Sequence, residues 1–230
     1  MGFNVLVVFF DKNSCFWNTP PNFFPPAAPC QMSNCQLKIP TFAAMSNGRV
    51  ILTNERFALT IDRLCHQLIE NHDTFQNTCL IGIQQGGVPL LHRIHQRLLE
   101  ITGATSIENG KLDITFYRDD FRRREKPIRA NVTEMDFLVE GKNVVLMDDV
   151  LYTGRSVQAA MSALGDFGRP HKVELMTLVD RRFNRDLPIK ADYTGIRVDS
   201  LDEAYVRVEW QEVEGIDQVL LFPQKEGLSG

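Results

Sequence analysis

An α/β fold, with a mainly parallel twisted sheet flanked by helices, is predicted by three observations. The apolar run LIGI at 80–83 suits a strand buried on both faces and leads through a small-residue turn into a helical pattern. The run VVLM at 144–147 does the same, with two adjacent carboxylates, Asp148 and Asp149, at its end. A third strand-like run at 172–179 continues the alternation. Strands that alternate with helices are joined by right-handed crossovers, which makes neighbours parallel and leaves a ligand site at their carboxyl ends. A length of 230 residues suits one such domain with appendages and a substantial core.

Residues 1–44 stand apart from this pattern. They are proline-rich, include Pro20-Pro21-Asn22-Phe23-Phe24-Pro25-Pro26, and carry only Asp11, Lys12 and Lys38 as charged residues. Such proline spacing defeats both helix and central strand. The stretch is therefore expected to be a disordered extension, with Met45 a plausible true start and 45–230 the folded domain. The short apolar run at 6–10 lacks a basic lead-in and is interrupted by Asp11 and Lys12, unlike a signal-peptide core.

From Arg49 the periodicity becomes orderly. Asn54 is the expected helix cap, Glu55 suits the first turn, and Phe57, Ile61, Leu64, Cys65, Leu68 and Ile69 trace one apolar face. His66 and His72 have no metal-like spacing and read as surface or cap residues. Cysteines at 15, 30, 35, 65 and 79 match no zinc pattern, and their odd number suits reduced thiols. Cys65 and Cys79 read as small core residues.

The run at 80–83 ends in Gln84-Gln85-Gly86-Gly87, after which Pro89 opens a helix with Leu90, Leu91, Ile94, Leu98 and Ile101 at its apolar positions. Residues 112–117 alternate as a strand and lead to Arg118 and a basic run containing Arg122, Arg123, Arg124, Lys126 and Arg129. With no steady apolar period, that run reads as a mobile basic loop between strands. Past 172–179 come Asp180, Arg181, Arg182 and Phe183, then short strands expected at 205–210 and 218–222.

Chemistry concentrates in VVLMDDVLYTGRS at 144–156. Asp148 and Asp149 can accept hydrogen bonds from a pair of vicinal hydroxyls, as on a ribose. Thr153-Gly154-Arg155-Ser156 is a phosphate-sized turn whose N–H groups are left free at a helix start. Strand, acid pair, turn and helix together suit a ligand carrying both hydroxyls and a phosphate. Composition is ordinary for a globular protein, at 43% hydrophobic and 23% charged. Acids outnumber bases 29 to 25, a net charge of −4, so the whole chain is no obvious polyanion binder. No apolar run approaches the roughly 20 residues of a membrane helix.

The run at 144–156 resembles the phosphoribosyl-pyrophosphate (PRPP) motif of the type I phosphoribosyltransferases. ITFYRDD at 114–120, GRP at 168–170 and LVDR followed by LPIKADYTG within 178–195 extend the likeness. Together they resemble the family of bifunctional pyrimidine operon attenuation regulators and uracil phosphoribosyltransferases from about Met45 to Phe222. The resemblance implies a type I phosphoribosyltransferase fold with a small hood and a flexible lid loop. It implies transfer of the 5-phosphoribosyl group from PRPP to uracil, giving UMP and pyrophosphate, with Mg²⁺ bound chiefly to PRPP rather than directly to protein. It also implies a cytoplasmic homodimer or higher homo-oligomer and, for many members, binding of pyrimidine-operon mRNA.

Carried over residue by residue, the PRPP-binding set is Asp148, Asp149, Val150, Leu151, Tyr152, Thr153, Gly154, Arg155 and Ser156. The pyrophosphate loop is Gln84, Gln85, Gly86 and Gly87, and uracil is read by Val179, Asp180 and Arg181. The lid contributes Arg122, Arg123 and Arg124, and the catalytic set is Asp148, Asp149 and Arg118. Two departures stand out. Gly86 occupies a place where the family commonly has arginine, and the base-binding loop is longer than the common Arg-Gly-x-Arg form. A catalytically weak, nucleotide-sensing RNA-binding regulator and a phosphoribosyltransferase for another base stay open as alternatives.

Overall fold

In a computed structural model the described residues are 48–119, 132–183, 185–199 and 204–222. All belong to one compact unit, Ala44–Gly230. The proline-rich extension and the basic loop's Arg122, Arg123 and Arg124 lie outside the described residues.

The elements run β1 (Arg49–Leu52), α1 (Asn54–His72), β2 (Thr78–Ile83), α2 (Gly87–Thr102), β3 (Glu108–Leu112), β4 (Asn143–Leu151), α3 (Arg155–Leu164), β5 (Lys172–Arg181), β6 (Tyr193–Val198), β7 (Tyr205–Glu209), α4 (Gln211–Glu214) and β8 (Gln218–Phe222). Five strands form an all-parallel sheet in the order β3-β2-β4-β5-β6. Its strands are apolar in succession because both faces are covered. Leu80, Val145 and Met176 join the cluster with Phe57, Leu64 and Leu68 of α1 and Leu90, Leu91 and Ile94 of α2. Cys79, Ile81, Val144 and Leu146 join the opposite cluster with Val157, Ala160 and Ala163 of α3. Cys65 and Cys79 are both fully buried free thiols, and burial pushes them up to about 12 and about 11 respectively.

A second, antiparallel sheet, β1-β8-β7, makes the hood from both ends of the described chain. Val206, Val208, Trp210 and Val219 carry it into the α1–α2 core, where Trp210 meets Phe57 edge-to-face at 5.3 Å. Arg93 of α2 forks between Asp217 (2.9 Å from both Nη atoms) and Glu212 (2.8 Å from Nε), fastening the hood to the helix that follows the first loop.

The structure departs from the sequence expectation in four places. Thr53, in extended backbone, is the N-cap of α1, and Asn54 is already its first helical residue. The strand expected at 112–117 lies earlier, at Glu108–Leu112. Asp113 ends it by accepting the Thr115 N–H and hydroxyl through Oδ1, which folds Thr115–Tyr117 into a 3-10 turn. β1 and β6 went unread, being short and only intermittently apolar.

The fourth departure is His72, which is no surface residue: its side chain is 4% exposed and bonds Glu174 of β5 at 2.7 Å through Nε2. With Nε2 donating, Nδ1 accepts from the Thr78 hydroxyl at 3.1 Å. Tyr193 donates to the same Glu174 oxygen and accepts from Asn71, each at 3.1 Å. This network joins the end of α1 to β2, β5 and β6 at the end of the sheet opposite the acid pair.

Burial works to raise the Glu174 carboxyl, but Lys172, His72 and Tyr193 outweigh it and hold the group below its ordinary value of 4.5. A lowered acid stabilises the fold above its unfolded pKa and loses that contribution as pH falls through the folded value. Replacing Glu174 by glutamine is expected to cost about 3 kcal/mol near neutrality. Urea midpoints measured across pH should show the gap to the unmodified chain closing as acid is added below 4.5.

Candidate active site

Strand lengths create the site. β4 pairs with β2 as far as Met147, opposite Gly82, but with β5 as far as Leu151, opposite Asp180. Asp148 and Asp149 are therefore inside β4, beyond the last β2 partner. They lie within the strand, past the point where the sequence reading ended it, because the long β5 carries β4 onward.

Asp148 is only 8% exposed, and Asp149 is part-buried. Asp148 Oδ1 accepts the N–H of Asp149 at 3.1 Å, and Asp149 Oδ1 accepts the N–H of Val150 at 2.7 Å. Burial first, then repulsion from Asp149, pushes the Asp148 carboxyl well above its ordinary range, while the charge of Arg118 pulls the other way. Burial also raises Asp149, against the backbone N–H groups that favour its ionised form. Thr177, opposite Asp148 in register and fully buried, has no hydrogen-bond partner for its hydroxyl among the described residues.

β4 leaves the sheet through Tyr152 and Thr153 to Gly154, whose φ of 91° is the left-handed conformation that glycine adopts freely. A side chain there would also press on Ile189, 3.1 Å from its Cδ1. The turn delivers Arg155 and Ser156 as the first residues of α3, so N–H groups without helical partners face the end of the acid-bearing strand. Arg155 spans two carboxylates, Asp186 at 2.8 Å and Asp119.

Gln84, Gln85 and Gly86 connect β2 to α2, which begins at Gly87, and the Gln84–Gln85 peptide is cis. Gln84 is held by its N–H to Leu112 at 2.9 Å and by Nε2 to the Val132 carbonyl at 2.7 Å. Gly87 packs against the Met147 carbonyl so closely that any Cβ would collide with it. Gly86 lies directly against the Asp149 carboxylate. The two glycines thus set the loop flush on the end of β4.

Val179, Asp180 and Arg181 close β5, with peptide groups in the ladders to β4 and β6. They are the carboxyl end of that strand, beside the acid-bearing end of β4, and Phe183 just beyond them is 55% exposed. Asn184 lies outside the described residues. The Arg181 guanidinium stacks over Tyr152 at 3.9 Å. Arg185 reaches both Asp180 and the Tyr152 carbonyl, and Asp186 and Leu187 donate N–H groups to the Thr153 carbonyl at 3.1 and 3.2 Å. The phosphate-sized turn and the following segment are consequently one clasp. Asp119 and Arg185 lie in stretches the sequence marks, but their partners, like that of Asp186, are set only by tertiary folding.

Among the described residues no three His, Cys, Asp or Glu side chains group to hold a metal, and no helix is long and apolar enough to cross a membrane.

The sequence profile described as "Phosphoribosyl transferase domain" matches residues 49–213. "Bifunctional protein PyrR" of Actinobacillus pleuropneumoniae serotype 5b (strain L20) is 41% identical over 179 residues, covering 77% of this chain and 98% of the relative. Its namesake from Chloroflexus aurantiacus (strain ATCC 29366 / DSM 635 / J-10-fl) is 39% identical over 178 residues, 77% of this chain and 97% of the relative. Among solved structures, a hypoxanthine phosphoribosyltransferase of Staphylococcus aureus shares the fold at TM-score 0.56 and 21% identity, covering 77% of this chain and 93% of that one. That of Trypanosoma cruzi does so at TM-score 0.58 and 14% identity, covering 77% and 97%.

A buried acid with a raised pKa weakens the fold as pH climbs from the unfolded value of 3.8, because the folded state resists giving up the proton. Asp148→Asn keeps the Oδ1 acceptor and removes that charge. It is expected to match the unmodified chain in stability near pH 3 and to exceed it by about 1–2 kcal/mol at neutrality. Calorimetric melts across pH check this.

Proposed function

The chain belongs to the phosphoribosyltransferase family, alongside the bifunctional PyrR proteins, and on that premise we propose that it transfers the 5-phosphoribosyl group from PRPP to uracil. The observation that carries this reading is the acid pair inside β4, bracketed by a glycine turn opening α3 and a glycine loop opening α2. Asp148 and Asp149 accept the ribose hydroxyls, and the N–H groups of Thr153 to Ser156 take the 5′-phosphate. Peptide groups of Gln84 to Gly87 face the pyrophosphate, where glycine permits close approach.

In the transfer, the C1–O bond to pyrophosphate breaks with its electron pair leaving on the pyrophosphate oxygen, uracil N1 bonds to C1, and the N1 proton passes to the departing pyrophosphate or to water. Charge accumulates on the departing pyrophosphate, so loop amides and the positive charge of Arg118 near the acid pair lower the barrier. Holding N1 against C1 supplies the remaining gain, with Phe183 a stacking wall for the base. Mg²⁺ seldom uses an all-protein cage and would be held chiefly by PRPP oxygens and water. Bound with PRPP, the ion would offset part of the leaving charge. The lid arginines Arg122, Arg123 and Arg124 complete the proposal by closing over the pyrophosphate.

The proposal extends to a cytoplasmic homo-oligomer that also regulates pyrimidine genes through their mRNA. Arg56 of α1, with Arg169 and His171 before β5, is exposed and available for such a contact. Two further candidates have partners in the fold: Arg63 donates to the Thr194 and Gly195 carbonyls of β6, and Lys172 pairs with Glu174.

UMP formation from labelled uracil, PRPP and Mg²⁺ tests the enzymatic reading. Turnover is expected, and Asp148→Asn and Asp149→Asn should each reduce it about 100-fold or more. Product from hypoxanthine in place of uracil would reassign the base. No product from any base, with tight salt-dependent binding of a pyrimidine-operon leader, would leave the regulator alone.

A further inference from the structure

Gly86 lies in the loop between β2 and α2, and its surroundings give the missing side chain a physical content. A Cβ built there would lie 2.5 Å from Cγ of Asp149 and 2.6 Å from Oδ2, distances that real Cβ atoms essentially never show. The space in which a side chain at position 86 would begin is occupied by the carboxylate of the second acid.

That carboxylate is not loosely placed. Its Oδ1 accepts the Val150 N–H at 2.7 Å, and the Asp149 N–H is itself held by Asp148. Retreat of the backbone at Gly86 is blocked from the next residue, since Gly87 already lies against the Met147 carbonyl and Gln84 is tied to Leu112 and Val132. A side chain at 86 would therefore displace the acid rather than the loop.

We propose that Gly86 is a positioning residue for Asp149: its missing side chain is the seat in which this carboxylate rests between the pyrophosphate loop and the ribose end of the site. The inference rests on the proposed PRPP chemistry. Gly86→Arg would bring a guanidinium to the loop, yet it would evict Asp149 before that charge could serve the pyrophosphate.

The test combines PRPP binding, followed by calorimetry with Mg²⁺ present, and a ligand-free readout. Gly86→Ala and Gly86→Arg are each made in the unmodified chain and in an Asp149→Ala background, where the seat is vacant. Contacting residues couple strongly, so Gly86→Ala is expected to weaken PRPP binding about tenfold in the first background and less than about twofold in the second. Gly86→Arg should weaken binding too when Asp149 is present. Without PRPP, carbon NMR of the aspartate carboxyl should show Asp149 titrating at lower pH in Gly86→Ala, as eviction returns it toward water. Should Gly86→Ala fail to fold, Asp149→Ala in the same chain must restore folding.

Equal losses in both backgrounds, an unmoved Asp149 titration, or tighter PRPP binding in Gly86→Arg would each overturn the assignment. An unmodified chain that binds no PRPP would sink the functional reading itself. In that case the NMR comparison still decides whether Gly86 seats Asp149.

Discussion

Two carboxylates held side by side away from water are the constraint on which the rest of the site depends. Neither desolvation nor mutual repulsion favours them, so the surrounding structure must supply what they lack. It does so through backbone: each acid takes an N–H from the residue that follows it in β4. Arg118 adds positive charge from outside the sheet. Such an arrangement is under-satisfied until a ligand rich in donors and cations arrives, and this suits a site better than a core.

The parallel sheet makes that arrangement affordable by confining it to one end. β4 and β5 outrun β2, so the acids leave the apolar layers at the point where two loops converge. Both loops begin helices, and both depend on glycine where backbone meets backbone or turns left-handed. The opposite end of the sheet carries the His72–Glu174–Tyr193 network, a second buried polar group with a different outcome. There every charged atom has a partner from the chain itself, so the group is satisfied without a ligand.

Much of this was legible in the sequence. Apolar runs of four residues followed by small-residue turns marked β2 and β4, and the period of α1 and α2 was clear from Phe57 to Leu98. The acid pair, the Thr153–Ser156 turn and the glycine loop were visible as well, because strand, turn and helix start are local features. What escaped was set by distant neighbours. The length of β4 depends on β5; residues 112–117 are the exception, turned by a bond only two positions long between Thr115 and Asp113. His72 read as a surface or cap residue because Glu174, 102 positions away, leaves no local trace. Gly86 was noticed as a missing guanidinium, whereas its meaning lies in Asp149, which only the fold brings against it.

The Thr153 carbonyl has a role out of proportion to its size. By accepting the amides of Asp186 and Leu187 it makes the turn before α3 and the segment after β5 a single mechanical part. Whatever quiets one quiets the other, so the conformational entropy of both is surrendered to whichever ligand comes first. The second ligand then meets a segment already ordered. By reciprocity, either ligand bound first would lighten the ordering cost of the other, through two hydrogen bonds rather than any change of shape.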